Sequence, residues 1–352
     1  MSRTGATTVS AAIALAFAGT LSGLLIDESG GLTGAFEWLL RTIVVVAAAV
    51  AIGGGVMLAA RVRRRIRPRP LGWVAAGLAT VAFAWVVALP VAYGVYLTHL
   101  PARRAVHDAD LGAPKERVAL PGADGVTLHG WYVPSRNDAA VIALHGTGSN
   151  RVGVAGQARV LVAHGYGVLA LDLRGHGESG GRSMSVPWKL DRDLDAAVDW
   201  LKARADVDAD RIGALGVSLG AEVAIRLAAR RPDLRATVAE GLQGSAPADY
   251  RAAGQDVASD VQTTALLHVN ALLAGGGAPD SDGAVVERIA PRPLLLISSG
   301  TAAEARAARE FARRAGAELW NLPHAAHGAA LTADPGGYDR RVAGFLNRAL
   351  RG

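Results

Sequence analysis

From about Leu111 onward, short apolar runs alternate with longer amphipathic stretches, separated by glycine, proline and polar residues. Residues 116–121 and 126–133 read as an opening hairpin that turns at Asp124-Gly125. Residues 139–144, 168–173, 212–217, 236–239, 293–298 and 318–322 follow as short strands. Between them helical periodicity runs to about His164, then over 191–204, 221–231, 304–315 and 338–350. Strands that are apolar throughout have no face to give to water. Their alternation with helices therefore predicts an α/β domain with a mostly parallel sheet covered on both faces. In such sheets ligand chemistry collects beyond the carboxyl ends of the strands, so the informative residues should stand just after each apolar run.

The first hundred residues obey a different rule. Three stretches, 9–26, 43–60 and 71–97, carry no charge at all. A hydrocarbon core about 30 Å thick needs roughly 20 apolar residues of helix, so each is a candidate span, with Pro90 kinking or ending the third. A cleaved signal peptide is the competing reading of 9–26, but only Arg3 precedes it and no small-residue cleavage site follows. The segment 61–70 holds six arginines and should stay cytoplasmic, whereas the loop before it is acidic. A hairpin of the second and third spans then leaves everything after residue 97 outside the cytoplasm. Arg103, Arg104, Lys115 and Arg117 weaken that bias. The division is thus a transmembrane region of about three helices over 1–105 and an α/β domain over 111–352, in a multi-pass protein of the cell membrane. The net charge of +6 belongs almost wholly to the first part, which argues against a nucleic-acid partner, since such proteins carry their basic patch on the folded domain. Without cysteine there is no thiolate nucleophile and no Cys-based metal site, and no His/Asp/Glu set has ligand spacing. No metal or cofactor is expected.

Gly216-Val217-Ser218-Leu219-Gly220 has the form G-x-S-x-G. The pattern is weak by itself in a chain with 43 glycines, and a second match occurs at Gly177-Glu178-Ser179-Gly180-Gly181. Context separates them. Ser218 lies between an apolar run and a helical stretch, where a sharp strand-to-helix turn exposes the serine oxygen and the glycines remove clashing side chains. Ser179 precedes a segment with no helical period and reads as an ordinary loop residue. Leu144-His145-Gly146-Thr147-Gly148 and Asp172-Leu173-Arg174-Gly175-His176-Gly177-Glu178-Ser179 complete the set. Together the three motifs make residues 115–350 resemble the α/β-hydrolase superfamily.

That resemblance implies an α/β-hydrolase fold with Ser218 as nucleophile and an oxyanion hole formed by the backbone N–H groups of Leu219 and Thr147. The superfamily's catalytic histidine precedes the last helix, in a loop matched here by Pro323-His324-Ala325-Ala326-His327-Gly328. A small residue before the histidine favours His327 over His324. The third member is expected as an aspartate just after the strand at 293–298, and there is none. Glu304 is the nearest carboxylate, though Thr301-x-x-Glu304 also reads as a capping box opening the next helix. Glu240, after the strand at 236–239, is the alternative, followed by Asp280 and Asp282.

Residues 241–290 occupy the place of the superfamily's variable cap, with 263–273 apolar enough for one lid helix. That helix either packs over the site or lines an acyl pocket facing the bilayer. The reading is a membrane-anchored serine hydrolase cleaving an ester or thioester of a small-molecule or lipid-like acyl substrate, with peptide cleavage less favoured. The rival is a tethered binding or scaffold protein on a decayed hydrolase fold. A transporter fits worse, because the apolar stretches contain no charge to line a path.

Overall fold

In the computed structural model, described residues are 69–99, 104–181, 186–275 and 279–350, with 53, 55, 57, 60–65 and 277 besides. The chain divides into two compact units, Met1–Val95 and Tyr96–Gly352. The span expected at 9–26 lies outside the described residues, and the one at 43–60 lies mostly outside them.

The third apolar stretch is one helix, α1, over Pro70–His99, and among the described residues it is the one long and apolar enough to cross a membrane. Its thirty residues would reach roughly 45 Å at the α-helical rise. Leu71, Trp73, Val74, Leu78 and Val81 stand exposed along it. Pro90 neither ends the helix nor breaks it. It has no N–H to give and its ring crowds the preceding turn, so Ala84–Ala88 widens into a π turn and Leu89 donates to the carbonyl of Ala84.

The larger unit is built on eight strands: β1 Glu116–Pro121, β2 Thr127–Val133, β3 Ala140–Leu144, β4 Gly167–Leu171, β5 Ile212–Val217, β6 Ala236–Glu240, β7 Leu294–Ser299 and β8 Glu318–Leu322. Their order across the sheet is β1-β2-β4-β3-β5-β6-β7-β8. The first two run antiparallel to their neighbours and β4 through β8 pair in parallel. Every residue of β3, β4, β6 and β7 is buried, which is why β3 and β4 read as unbroken apolar runs and β6 and β7 as mostly apolar ones. Within β3 the pleat still sorts side chains. Val141 and Ala143 enter one core, and Ala140, Ile142 and Leu144 enter the other.

Helices cover both faces. On one side lie α2 (Ala155–Ala163) and the last helix of the chain, represented by Leu161, Phe345 and Leu346. On the other lie α3 (Asp195–Lys202), α4 (Leu219–Arg230) and, further along the chain, a helix carrying Phe311. The segment between β6 and β7 holds α5 (Pro247–Ala252), α6 (Val257–Leu273) and α7 (Asp282–Glu287). The single lid helix expected at 263–273 is therefore longer by six residues. Asp256 caps it by accepting the Ser259 N–H at 3.0 Å, so the polar turn before the apolar run is helical as well. The helix after β7, α8, spans Ala302–Ala315, and α9 over Gly344–Leu350 closes the described chain. The chain leaves β3 toward β4, then returns to the far side of β3 as β5. The residues beyond β3 and β5 thus flank the point where the strand order reverses, the usual place for a site in an open parallel sheet.

Candidate active site

One residue separates β5 from α4. Ser218 takes φ 55° and ψ −119°, a left-handed backbone that a residue with a Cβ adopts only when its surroundings force it, at a cost on the order of 1–3 kcal/mol. The surroundings here are tight. A Cβ on Gly216 would sit 2.0 Å from the carbonyl oxygen of Gly220, and one on Gly220 would sit 2.3 Å from that of Leu144. Neither collision can be relieved by a side-chain shift, so both glycines are dictated by the turn. Ser218 N–H donates to the carbonyl of Glu240 at 2.7 Å, pinning the turn to the end of β6.

The loop after β8 brings His327 to this serine. His327 Nε2 lies 3.0 Å from Ser218 Oγ, and Nδ1 lies 2.8 Å from Glu304 Oε2. With the carboxylate accepting at Nδ1, that nitrogen carries the proton and Nε2 is the lone-pair face presented to the hydroxyl. The imidazole is 34% exposed and the Glu304 side chain 1%. The hydrogen bond from Glu304 raises the His327 pKa, against the opposing effect of burial, and the charge of Glu304 adds to the rise. Glu304 owes its place to the first turn of α8. Thr301 Oγ1 accepts the Glu304 N–H at 3.1 Å, half of a capping box. The Glu304 side chain does not complete the box on Thr301. Its Oε1 accepts the Ser299 N–H at 2.6 Å, leaving Oε2 for the imidazole.

The other carboxylates weighed from the sequence have different partners. Glu240 Oε1 accepts the Ala330 N–H at 2.8 Å. Asp282 pairs with Arg226 at 2.8 Å, and Asp280 with Arg288 at 3.0 Å. His324 is exposed on the same loop as His327. Ser179, in the second G-x-S-x-G, is buried and has both roles of its hydroxyl occupied by backbone, donating to Asp172 O at 2.7 Å and accepting His129 N–H at 2.9 Å.

The turn after β3 faces Ser218. A Cβ built on Gly146 would lie 3.3 Å from Ser218 Cβ, so this backbone passes directly over the serine. His145 fixes the turn. Its Nε2 accepts the Leu173 N–H at 3.0 Å, which leaves Nδ1 to donate to Gly146 O at 2.8 Å. Full burial, with a smaller push from His176, takes the His145 pKa down to about 3, so the ring is neutral. Leu219 opens α4, and a first-turn N–H has no acceptor within its own helix. Thr147 lies in the turn itself.

Two contacts were not legible from motif spacing. The imidazole of His327 rests against Gly241, where a Cβ would come within 2.8 Å of Cε1, and the side-chain amide of Gln243 reaches within 3.4 Å of Nδ1. A glycine immediately after a buried strand was the available hint for the first. The second has no local signature.

Comparison with known proteins places these features in context. The family model Hydrolase_4, described as serine aminopeptidase, S33, matches residues 135–273. An uncharacterized protein of Mycobacterium tuberculosis is 37% identical over 140 residues, covering 39% of this chain and 49% of that protein. Cutinase 2 of Thermobifida cellulosilytica is 29% identical over 132 residues, 35% of this chain and 48% of the cutinase. The chain thus spans about half the length of the curated relatives it matches. Among solved structures, an esterase of Pyrococcus furiosus superposes with a TM-score of 0.60 at 28% identity, covering 72% of this chain and 99% of the esterase.

Proposed function

We propose that this chain, an α/β hydrolase by its fold, is a serine ester hydrolase that works through an acyl-enzyme. The observation that carries the reading is the continuous hydrogen-bonded line from Ser218 Oγ through His327 to Glu304, at 3.0 and 2.8 Å. Ser218 Oγ attacks the substrate carbonyl carbon while His327 Nε2 takes its proton. The carbonyl electrons move to oxygen, where the N–H groups of Leu219 and Thr147 stabilise the charge, each donor supplying about 3–4 kcal/mol in comparable sites. Collapse of the tetrahedral intermediate breaks the bond to the alcohol oxygen, which leaves with the proton from His327. A water molecule repeats the sequence on the acyl-enzyme and frees the acid. Glu304 holds the imidazole in the productive tautomer and stabilises it while charged.

An ester is favoured over an amide because an esterase and a cutinase stand among the similar proteins, while the family description names aminopeptidases. α1 serves as a membrane anchor in this reading. The arginines before it stay on the cytoplasmic side and the hydrolase unit lies on the other. The exposed apolar side chains Val257, Val261 and Leu272 of α6 support a lipid-like acyl substrate.

The test is intact-mass analysis of the detergent-solubilised full chain after a fluorophosphonate, with peptide mapping of the adduct. It is run beside hydrolysis of p-nitrophenyl acetate, p-nitrophenyl decanoate and an aminoacyl p-nitroanilide. One adduct on Ser218 with faster turnover of the esters is expected. Preferential cleavage of the anilide would move the assignment to an aminopeptidase. A folded protein that forms no adduct would leave a binding role on a hydrolase fold. Because the chain has no cysteine, a single Ala258→Cys on the exposed side of α6 tests topology. Labelling of intact cells by a membrane-impermeant maleimide is expected, and protection until lysis would reverse the orientation.

A further inference from the structure

Glu240 touches both halves of the site without belonging to the hydrogen-bonded line. Its backbone carbonyl takes the Ser218 N–H at 2.7 Å, and its side-chain Oε1 takes the Ala330 N–H at 2.8 Å, three residues beyond His327. The next residue, Gly241, donates its N–H to Ile297 of β7 at 2.9 Å and lies against the imidazole. The strained turn that carries the nucleophile and the loop that carries the base are thus tied to one buried residue at the end of β6.

We propose that Glu240 is a positioning residue of the hydrolytic site, fastening the Ser218 turn to the His327 loop so that Oγ and Nε2 stay at reacting distance. The proposal rests on the hydrolase reading above. Two features argue that the carboxyl does this as a neutral acid. Glu240 is fully buried, and among the described residues its second oxygen, Oε2, has no hydrogen-bond partner, an arrangement that is expensive for a charged carboxylate. The charged and titratable groups that face it are Glu304 from α8, His327 from its loop and the buried Tyr338. Burial raises the Glu240 pKa most; the Ala330 N–H and His327 pull it back down, and Glu304 pushes it further up. The Tyr338 phenol is likewise held well above its usual value, chiefly by burial. A neutral Glu240 leaves Glu304 as the one negative charge against the imidazole, so two carboxylates near one histidine have different tasks.

The experiment measures the second-order rate of fluorophosphonate acylation against pH for the full wild-type chain, Glu240→Gln and Glu240→Leu. Glutamine keeps the carbonyl acceptor and cannot ionise. It is expected to react within about threefold of wild type, with the acidic limb of the pH profile unmoved to within about 0.3 pH units. Leucine removes the acceptor and is expected to be slower by about 10- to 100-fold, since displacement of a reacting group by an ångström has that order of effect. Glu240→Leu at the wild-type rate would overturn the proposal. So would Glu240→Gln falling as far as Glu240→Leu, or an acidic limb displaced in Glu240→Gln, because either would mean that the charge matters and not the tie. If Glu240→Leu does not fold, the rate and profile of Glu240→Gln decide. A wild-type protein without any adduct removes the hydrolase reading itself, an outcome distinct from these.

Discussion

Two loops of this chain carry the same five-letter pattern around a serine, and each has a histidine and a buried carboxylate beside it. In the loop after β4, Ser179 is closed off by Asp172 O and His129 N–H, and His176 is buried with Nδ1 against Arg174 O. Asp172 is neutralised by the equally buried Arg151 at 2.8 Å. In the turn after β5, Ser218 faces an imidazole that reaches solvent, and Glu304 is paired with that imidazole instead of a guanidinium. In the first set the serine and the carboxylate are held by permanent partners. The second is paired through a group that can take up and release a proton. A serine–histidine–carboxylate grouping is therefore distinguished by what its members are free to do, and the pattern of letters records very little of it.

The largest expected effect divides the two serines. Ser218→Ala is expected to lower ester turnover by about 10⁶-fold if the three side chains act as a unit, and to abolish the fluorophosphonate adduct. Ser179→Ala should keep the adduct at the wild-type rate and lose two buried hydrogen bonds, about 1–3 kcal/mol, read as a lower midpoint of thermal unfolding. An adduct that survives Ser218→Ala and vanishes in Ser179→Ala would invert the comparison.

Next comes the carboxylate. Glu304→Gln should reduce turnover by about 10²–10⁴-fold, because the amide can donate to Nδ1 and so favour the wrong tautomer. The sign of the pH effect is fixed by the cause of the shift. Glu304 raises the imidazole pKa, so its removal should move the acidic limb of the rate profile to lower pH. A limb that stays in place would take Glu304 out of the role.

A third comparison concerns stability. Arg151→Met leaves Asp172 buried without its cation, a change worth about 3–5 kcal/mol, or about 6–20 °C in the unfolding midpoint of a domain this size. Acylation of Ser218 per folded molecule should remain near wild type. A large fall in acylation with an unchanged melting point would show that the β4 loop acts on the chemistry and not on the fold.

How much of this was readable in the sequence follows the same division between local and long-range causes. The central strands are legible as apolar runs because burial on both faces leaves little alternative, the half-exposed β1 and β2 are legible from the turn between them, and the Ser218 turn is legible because its glycines answer to backbone collisions within the motif and with β3. Errors at the edges have physical reasons. The run at 168–173 continues past β4 because Asp172 and Leu173 look like strand, yet Asp172 turns away to collect the N–H groups of Arg151 and Glu178. The helix expected from 221 starts at Leu219, since the turn after Ser218 is too short to see as a loop. The carboxylate beside His327 was legible only as the first of a short list, Glu304 ahead of Glu240. Glu304 meets His327 across 23 residues of sequence, from a helix and not from the strand's own loop, and only the packing of α8 brings it there.

The smallest effect sets the buried histidines against His327. His145 is neutral in the fold with its pKa at about 3, and His176 is also held below its usual value, in both cases chiefly by burial. A histidine whose folded pKa is depressed contributes stability above its unfolded value near 6.5, and this is lost as pH falls through 6.5 and the unfolded chain takes up protons. His327 has the opposite sign, with a contribution present below 6.5 that fades as pH rises through its raised folded value. Between pH 6.5 and 5, His145 alone should cost about 2 kcal/mol, since each unit is worth 1.36 kcal/mol. His145→Gln, which retains one donor and one acceptor, should flatten the fall in melting temperature over that interval by about 4–8 °C. The same fall in His145→Gln as in wild type would mean that the proton enters elsewhere, and the turn over Ser218 would then owe its acid stability to a different group.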